Sequence, residues 1–130
     1  MASRTEAQKY IDKLAEARGF VLDFHKVMAA HDYDVLVATD DLTRATVLRE
    51  RRLDMRTKEL LFIVSLVLIG GDRNDVATHI RSALAMGLTA QDVLEAMEIV
   101  IPLAGVVRFK EGFEVWREVT GATGLEPTGA

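Results

Sequence analysis

Apolar residues recur at helical spacing from the start of the chain. Over about Glu6 to Ala30 they fall at Ile11, Leu14, Leu22 and Met28, with Arg18 and His25 on the same stripe. This pattern predicts one amphipathic helix that Gly19 weakens in its middle. The stretch His31-Asp32-Tyr33-Asp34 ends it, and Leu36 to Arg52 follows as a short segment in which Asp41 or Thr43 can cap one or two turns. From Met55 the signals sharpen. Asp54 precedes a helix over Arg56 to Ile69, and Gly70-Gly71 stops it. Asp72 or Asn74 caps the next helix, which ends at Gly87 in a left-handed position. Thr89, with Asp92 three residues on, reads as a capping-box variant opening a helix that runs towards Pro102, and Gly105 marks a break. A last helix carries Phe109, Phe113 and Trp116 on one apolar face.

Two of these helices are apolar on nearly every side. Leu60 to Ile69 has only Ser65 as a polar interruption, and Val93 to Val107 is broken by Glu95 and Glu98. A helix that is apolar all round has to be buried all round. A lone domain of this size has too little surrounding structure for two such helices, so the pattern predicts a homo-oligomer. The competing arrangement is one central helix ringed by the other four or five.

Composition narrows the class. The chain has 130 residues, 49% of them hydrophobic, with two prolines and 6% aromatics, which favours an all-α bundle of about six helices in one domain. We divide 1–130 into an N-terminal helical region (1–52), a core motif region (53–120) and a flexible tail (121–130) marked by Gly121, Gly124, Pro127 and Gly129. The net charge of −4 comes with Lys and Arg interspersed among acids, so no basic stripe points to nucleic acid. The absence of cysteine removes disulfides, thiolate metal sites and thiol redox chemistry. Residues Met1 to Tyr10 are polar and lack the apolar core of a signal peptide. Leu60 to Ile69 is about half the roughly 20 residues of a membrane span, so we expect a cytoplasmic protein without a membrane partner.

Few residues are placed for chemistry. Taking 100° per residue, Val76, Ile80, Ala83, Leu84 and Gly87 form the buried stripe of their helix, and His79 sits at its edge with Asp72 and Asp75 on the same side. An edge histidine can reach a cleft while a carboxylate orients it, which suits acid–base work near neutral pH. It can equally be a boundary histidine bonded to a backbone carbonyl or to Asp75. Glu59 lies near the start of its helix on the face that continues as Phe62, Ile63 and Leu66. It either turns into that apolar face or points to water as a first-turn glutamate favoured by the helix dipole. Arg81 could anchor a substrate carboxylate, yet it is about 200° around the helix from His79 and is equally a solvent or interface residue. Gln91, Glu95 and Glu98 share a polar stripe that reads as a solvated or interface face, and His25 reads as a packed core histidine. The histidines His25, His31 and His79 lack metal-ligand spacing, and no phosphate loop or nucleophile elbow is present.

One stretch combines several of these features. It reads Leu53, five residues, Glu59-Leu60; then His79-Ile80-Arg81-x-Ala83-Leu84-x-x-Gly87-Leu88-Thr89; then Asp92-Val93-x-Glu95. It resembles the carboxymuconolactone decarboxylase family, whose relatives include the AhpD-type alkylhydroperoxidases. The peroxidase branch places a Cys-x-x-Cys pair seven and four residues before this histidine, where this chain has Asp72 and Asp75, so a thiol mechanism is excluded. A further departure is Val106-Val107 after Gly105, where many members have a proline.

The resemblance implies an AhpD-like helical bundle, trimeric or hexameric, that acts without a cofactor on a small organic acid or lactone. It implies decarboxylation of a carboxylated lactone in aromatic-compound breakdown, with His79 and Glu59 as the acid–base pair. Asp75 and Arg81 are weaker candidates for holding substrate. A non-catalytic helical oligomer that binds a small ligand or partner is the alternative. Across a hairpin turning near Asp72, Glu59 and His79 are offset by about 9 Å along the axis. Their contact then requires a tilt, a bridging substrate or a neighbouring subunit.

Overall fold

In the computed structural model, which describes residues 3–125, helix begins at once because Ser3 caps it. The Ser3 hydroxyl accepts from the Glu6 amide (3.2 Å) and the Glu6 carboxylate accepts from the Ser3 amide (3.1 Å), a reciprocal capping box. Helix α1 (Arg4–Arg18) buries Ala7, Ile11 and Leu14. The single helix expected over 6–30 is in fact two. Gly19 adopts φ +79°, and its amide bonds back to the Ala15 carbonyl, so it terminates α1 rather than weakening a longer helix. Helix α2 (Asp23–His31) then starts with the Leu22 amide donating to His25 Nδ1 at 3.0 Å. His25 is buried, as its stripe position predicts, and serves the first turn of its own helix.

The short segment expected over 36–52 is longer and starts earlier. Helix α3 (Tyr33–Thr43) runs on into a π-helical turn (Arg44–Leu48), so Asp41 and Thr43 lie inside helical structure and cap nothing. Residues Met1–Arg49 form one compact unit around Ala7, Ile11, Ala29 and Leu36. Within it Asp40, 3% exposed, accepts hydrogen bonds from the Tyr10 hydroxyl (2.7 Å) and Arg44 Nε (2.8 Å) and pairs with Arg18.

Residues Glu50–Ala130 form the second unit. It comprises α4 (Met55–Ile69), α5 (Arg73–Ala85), α6 (Ala90–Glu98), α7 (Val100–Ala104) and α8 (Val106–Thr120). Among the described residues the chain is therefore all-α, with more breaks than about six helices, because Gly19 and the bends at Ile99 and Gly105 divide longer runs. The caps fall where their residue types predict. Asp54 accepts from the Thr57 amide (2.8 Å), and Asp72 accepts from those of Asn74 and Asp75. Thr89 and Asp92 form a reciprocal box, and Gly87 takes a positive φ after α5. Pro127 and Gly129 of the expected tail lie outside the described residues.

The second core gathers Ile63 and Val67 from α4, Val76, Ile80 and Ala83 from α5, Val93 and Met97 from α6, and Val115 and Trp116 from α8. Two contacts lock α8 in place. The Trp116 indole donates to the Ala90 carbonyl (2.9 Å), and Gly112 lets the backbone approach so closely that a β-carbon there would sit 2.5 Å from a Val67 methyl. Helix α4 is not buried on every side within the chain: Leu61 and Ile69 are exposed along with Ser65 between them. No helix among the described residues is long and apolar enough to cross a membrane.

Burial alone would raise the Asp40 carboxyl. Hydrogen bonds from Arg44 and Tyr10, with the charges of Arg18 and Arg44, outweigh burial and hold it below the usual carboxylate value of 3.8. A carboxyl depressed on folding binds fewer protons in the folded state, so its contribution is complete above the ordinary value and fades as pH falls through the depressed one. We therefore expect Asp40→Asn to lower the denaturant midpoint of the first unit at neutral pH. The gap from wild type should narrow below about pH 4, measured by tyrosine near-ultraviolet circular dichroism. A gap that widens in acid would contradict this.

Candidate active site

Helices α4 and α5 are joined by three residues, Gly70 to Asp72, and so pack antiparallel as a helical hairpin. Their registers are pinned by the Asp54 cap at the start of α4 and the Asp72 cap at the start of α5. On α4, the buried line Glu59, Ile63 and Val67 faces inward at spacings of four residues. On α5, Val76, Ile80 and Ala83 are buried and His79 stands beside them at the stripe's edge, its side chain 23% exposed.

These registers bring Glu59 and His79 into direct contact within one chain. His79 Nδ1 lies 3.1 Å from Glu59 Oε1 and 3.0 Å from Oε2. Neither a bridging substrate nor a second copy is needed for the meeting. The expected 9 Å offset placed the turn at Asp72, whereas α4 already ends at Ile69 and the turn centres near residue 71. That reduces the offset to about 6 Å, a distance the two side chains span.

Glu59 is only 4% exposed, so it is not a first-turn glutamate directed at water. A carboxylate removed from water needs a donor. An ionised carboxylate only accepts, so with Glu59 ionised the contact assigns the hydrogen to Nδ1 and leaves Nε2 as the nitrogen for other work. Among the described residues Nε2 has no hydrogen-bond partner. The alternative bonding of His79 to Asp75 is not what is found.

A residue not singled out as a site candidate completes the arrangement. The Phe62 ring lies flat against the His79 imidazole, centroids 4.8 Å apart and planes 5° from parallel. Its position three residues after Glu59 on α4 was the available signal. The remaining candidates stand apart from the pair. Arg81 is exposed on another side of α5, and Asp75 is tied by its amide to the Asp72 cap. Gln91, Glu95 and Glu98 are exposed, with Gln91 donating to Glu95 at 3.0 Å.

Two hollows are defined elsewhere. One of about 500 Å³ is lined by Tyr10, Lys13, Glu16, Asp40, Asp41 and Arg44. The other, about 260 Å³, lies at the turn end of the hairpin against α8 and is lined mainly by Leu66, Val67, Val76, Gly112 and Val115, with Arg73 and Glu111. Neither is lined by Glu59 or His79.

The family model of the carboxymuconolactone decarboxylase family matches residues 34–118, which include α4, α5 and both members of the pair. The chain belongs to that family. The match begins within α3, upstream of the Leu53 at which the resemblance in sequence becomes readable. No curated protein and no solved structure gives a significant match.

The geometry predicts a fixed tautomer. In nitrogen-15 spectra of the neutral ring, His79 should carry its proton on Nδ1, and Glu59→Gln should release that preference. A ring protonated on Nε2 in the wild type would contradict the contact.

Proposed function

We propose that this chain is a cofactor-free decarboxylase of a small carboxylated lactone or related organic acid, with His79 as proton donor and Glu59 as its partner. The observation that carries the reading is a buried carboxylate bonded by both oxygens to one nitrogen of a partly exposed imidazole. Membership of the carboxymuconolactone decarboxylase family supports this reaction class. The thiol peroxide chemistry of related proteins has no cysteine to run on.

In this reading the bond between the substrate carbon and its carboxylate breaks and releases CO2. The electron pair remains on the carbon, spread into an enolate-like system. Imidazolium His79 delivers its Nε2 proton to that carbon, and Glu59 balances the imidazolium charge before transfer. Water then returns a proton to His79. One proton is consumed for each CO2 released, and no oxidant or reductant is required.

We further propose that copies of the chain associate as a trimer or hexamer and close an apolar space over the pair. Ile69 (74% exposed), Leu103 (69%) and Val107 (80%) leave apolar surface open to such a contact. The second reading is a non-catalytic helical oligomer binding a small ligand. It is favoured by one observation, the hollow of about 260 Å³ lined by Leu66, Val67, Val76, Gly112 and Val115, which stands apart from the pair.

CO2 release from carboxylated lactones separates the readings. His79→Ala should lower turnover at least about 100-fold with its helical circular dichroism unchanged. Full activity in that variant overturns the acid–base assignment, and a wild type inert towards such lactones favours the second reading. Light scattering after size exclusion should give three or six times the 14.4 kDa chain mass, reduced by Leu103→Glu with Val107→Asp. A wild-type mass of one chain overturns the assembly.

A further inference from the structure

The contact between Glu59 and His79 restrains the imidazole at one nitrogen. Both carboxylate oxygens reach the same ring nitrogen, so Glu59 sets the tautomer and the direction of the Nδ1–H bond. The ring is also tethered through Cβ–Cγ, but one hydrogen bond is a soft restraint on rotation about that bond, so the imidazole plane can still tilt. Whatever stops the tilt decides where Nε2 points.

Phe62 is the group that meets the face of the ring. Its plane lies within 5° of the imidazole plane at a centroid separation of 4.8 Å, an offset stack rather than an edge contact. Glu59 and Phe62 are three residues apart on α4, so one helix grips the imidazole by an edge and by a face. That helix is itself anchored, since Ile63 and Val67 of α4 are fully or almost fully buried. Phe62 also covers one face of the ring, and Nε2 makes no hydrogen bond among the described residues.

We infer that Phe62 is a positioning residue that holds the His79 ring in plane, so that Nε2 keeps a single orientation towards the reacting carbon. This deepens the proposed decarboxylation and rests on it for its catalytic consequence, while the positioning itself can be read without substrate. Phe62→Leu preserves apolar volume but removes the ring, and Phe62→Tyr restores a ring of the same plane.

Two measurements on the full chain test it. In carbon-resolved proton spectra the wild-type His79 ring protons should show the upfield displacement of a stacked aromatic. Phe62→Leu should lose it and gain ring mobility, with Phe62→Tyr retaining the wild-type values. With a carboxylated lactone as substrate, Phe62→Leu should lower kcat roughly 10- to 100-fold, because a small misplacement of a reacting group is costly. KM should hardly move, and Phe62→Tyr should recover most of kcat. Unchanged ring-proton shifts in Phe62→Leu overturn the inference, as does an unchanged kcat in a variant whose stack is lost. A wild type without lactone turnover sinks the proposed reaction, and the ring-proton shifts and mobility then decide the positioning alone.

Discussion

A carboxylate withdrawn from water on the inner face of α4 is the constraint around which this hairpin is organised. Glu59 is nearly as buried as Val67, one of the core residues two turns further along the same helix. Leaving such a group without a donor costs more than any single apolar contact nearby supplies, so its partner must be in place whenever the hairpin is closed. His79 is that partner, and its position depends on features that have no chemistry of their own. The Asp54 and Asp72 caps set where α4 and α5 begin, and the three-residue turn sets how far each runs past the other. Shifting either helix by one residue would rotate its inward residue by about 100° and break the contact.

The same dependence explains which features are legible in the sequence. Helix caps are local: an Asp, Thr or Ser accepts from amides two or three residues ahead, so Asp54, Asp72 and the Thr89–Asp92 box can be read from spacing alone. The edge position of His79 and the inward face of α8 follow from helical periodicity in the same way. Gly19 was harder, because a glycine inside an amphipathic run is compatible both with a weak helix and with a left-handed stop. Only the turn geometry distinguishes them. The run from Leu36 to Arg52 hid a full helix because its threonines and aspartates resemble caps. Thr39, Thr43 and Thr46 instead turn their hydroxyls back to carbonyls of the preceding turn.

Contacts between elements were the least legible. Asp40 with Tyr10, Arg18 and Arg44 joins residues from α1 to the π-turn, and no spacing rule relates positions 22 or 30 apart. The meeting of Glu59 with His79 is hard to read from sequence for a related reason. An axial offset computed from an assumed turn carries the full error of that turn, and here a shift of about one residue in its centre changes the offset by about 3 Å.

The start of α5 bears on the same contact. Seven and four residues before His79 stand Asp72 and Asp75. Asp72 accepts hydrogen bonds from the amides of Asn74 and Asp75, so it is committed to opening α5. A cysteine thiol is a poor acceptor and would cap this helix weakly. Asp72 therefore gives α5 a firm start, about two turns upstream of His79 along the helix that presents it. In the proposed reaction, which depends on the direction of one imidazole nitrogen, the capped start of α5 and the flat ring from α4 act on the same variable. The carboxylate of Glu59 fixes which nitrogen carries the proton, and the packing around it fixes where the other one points.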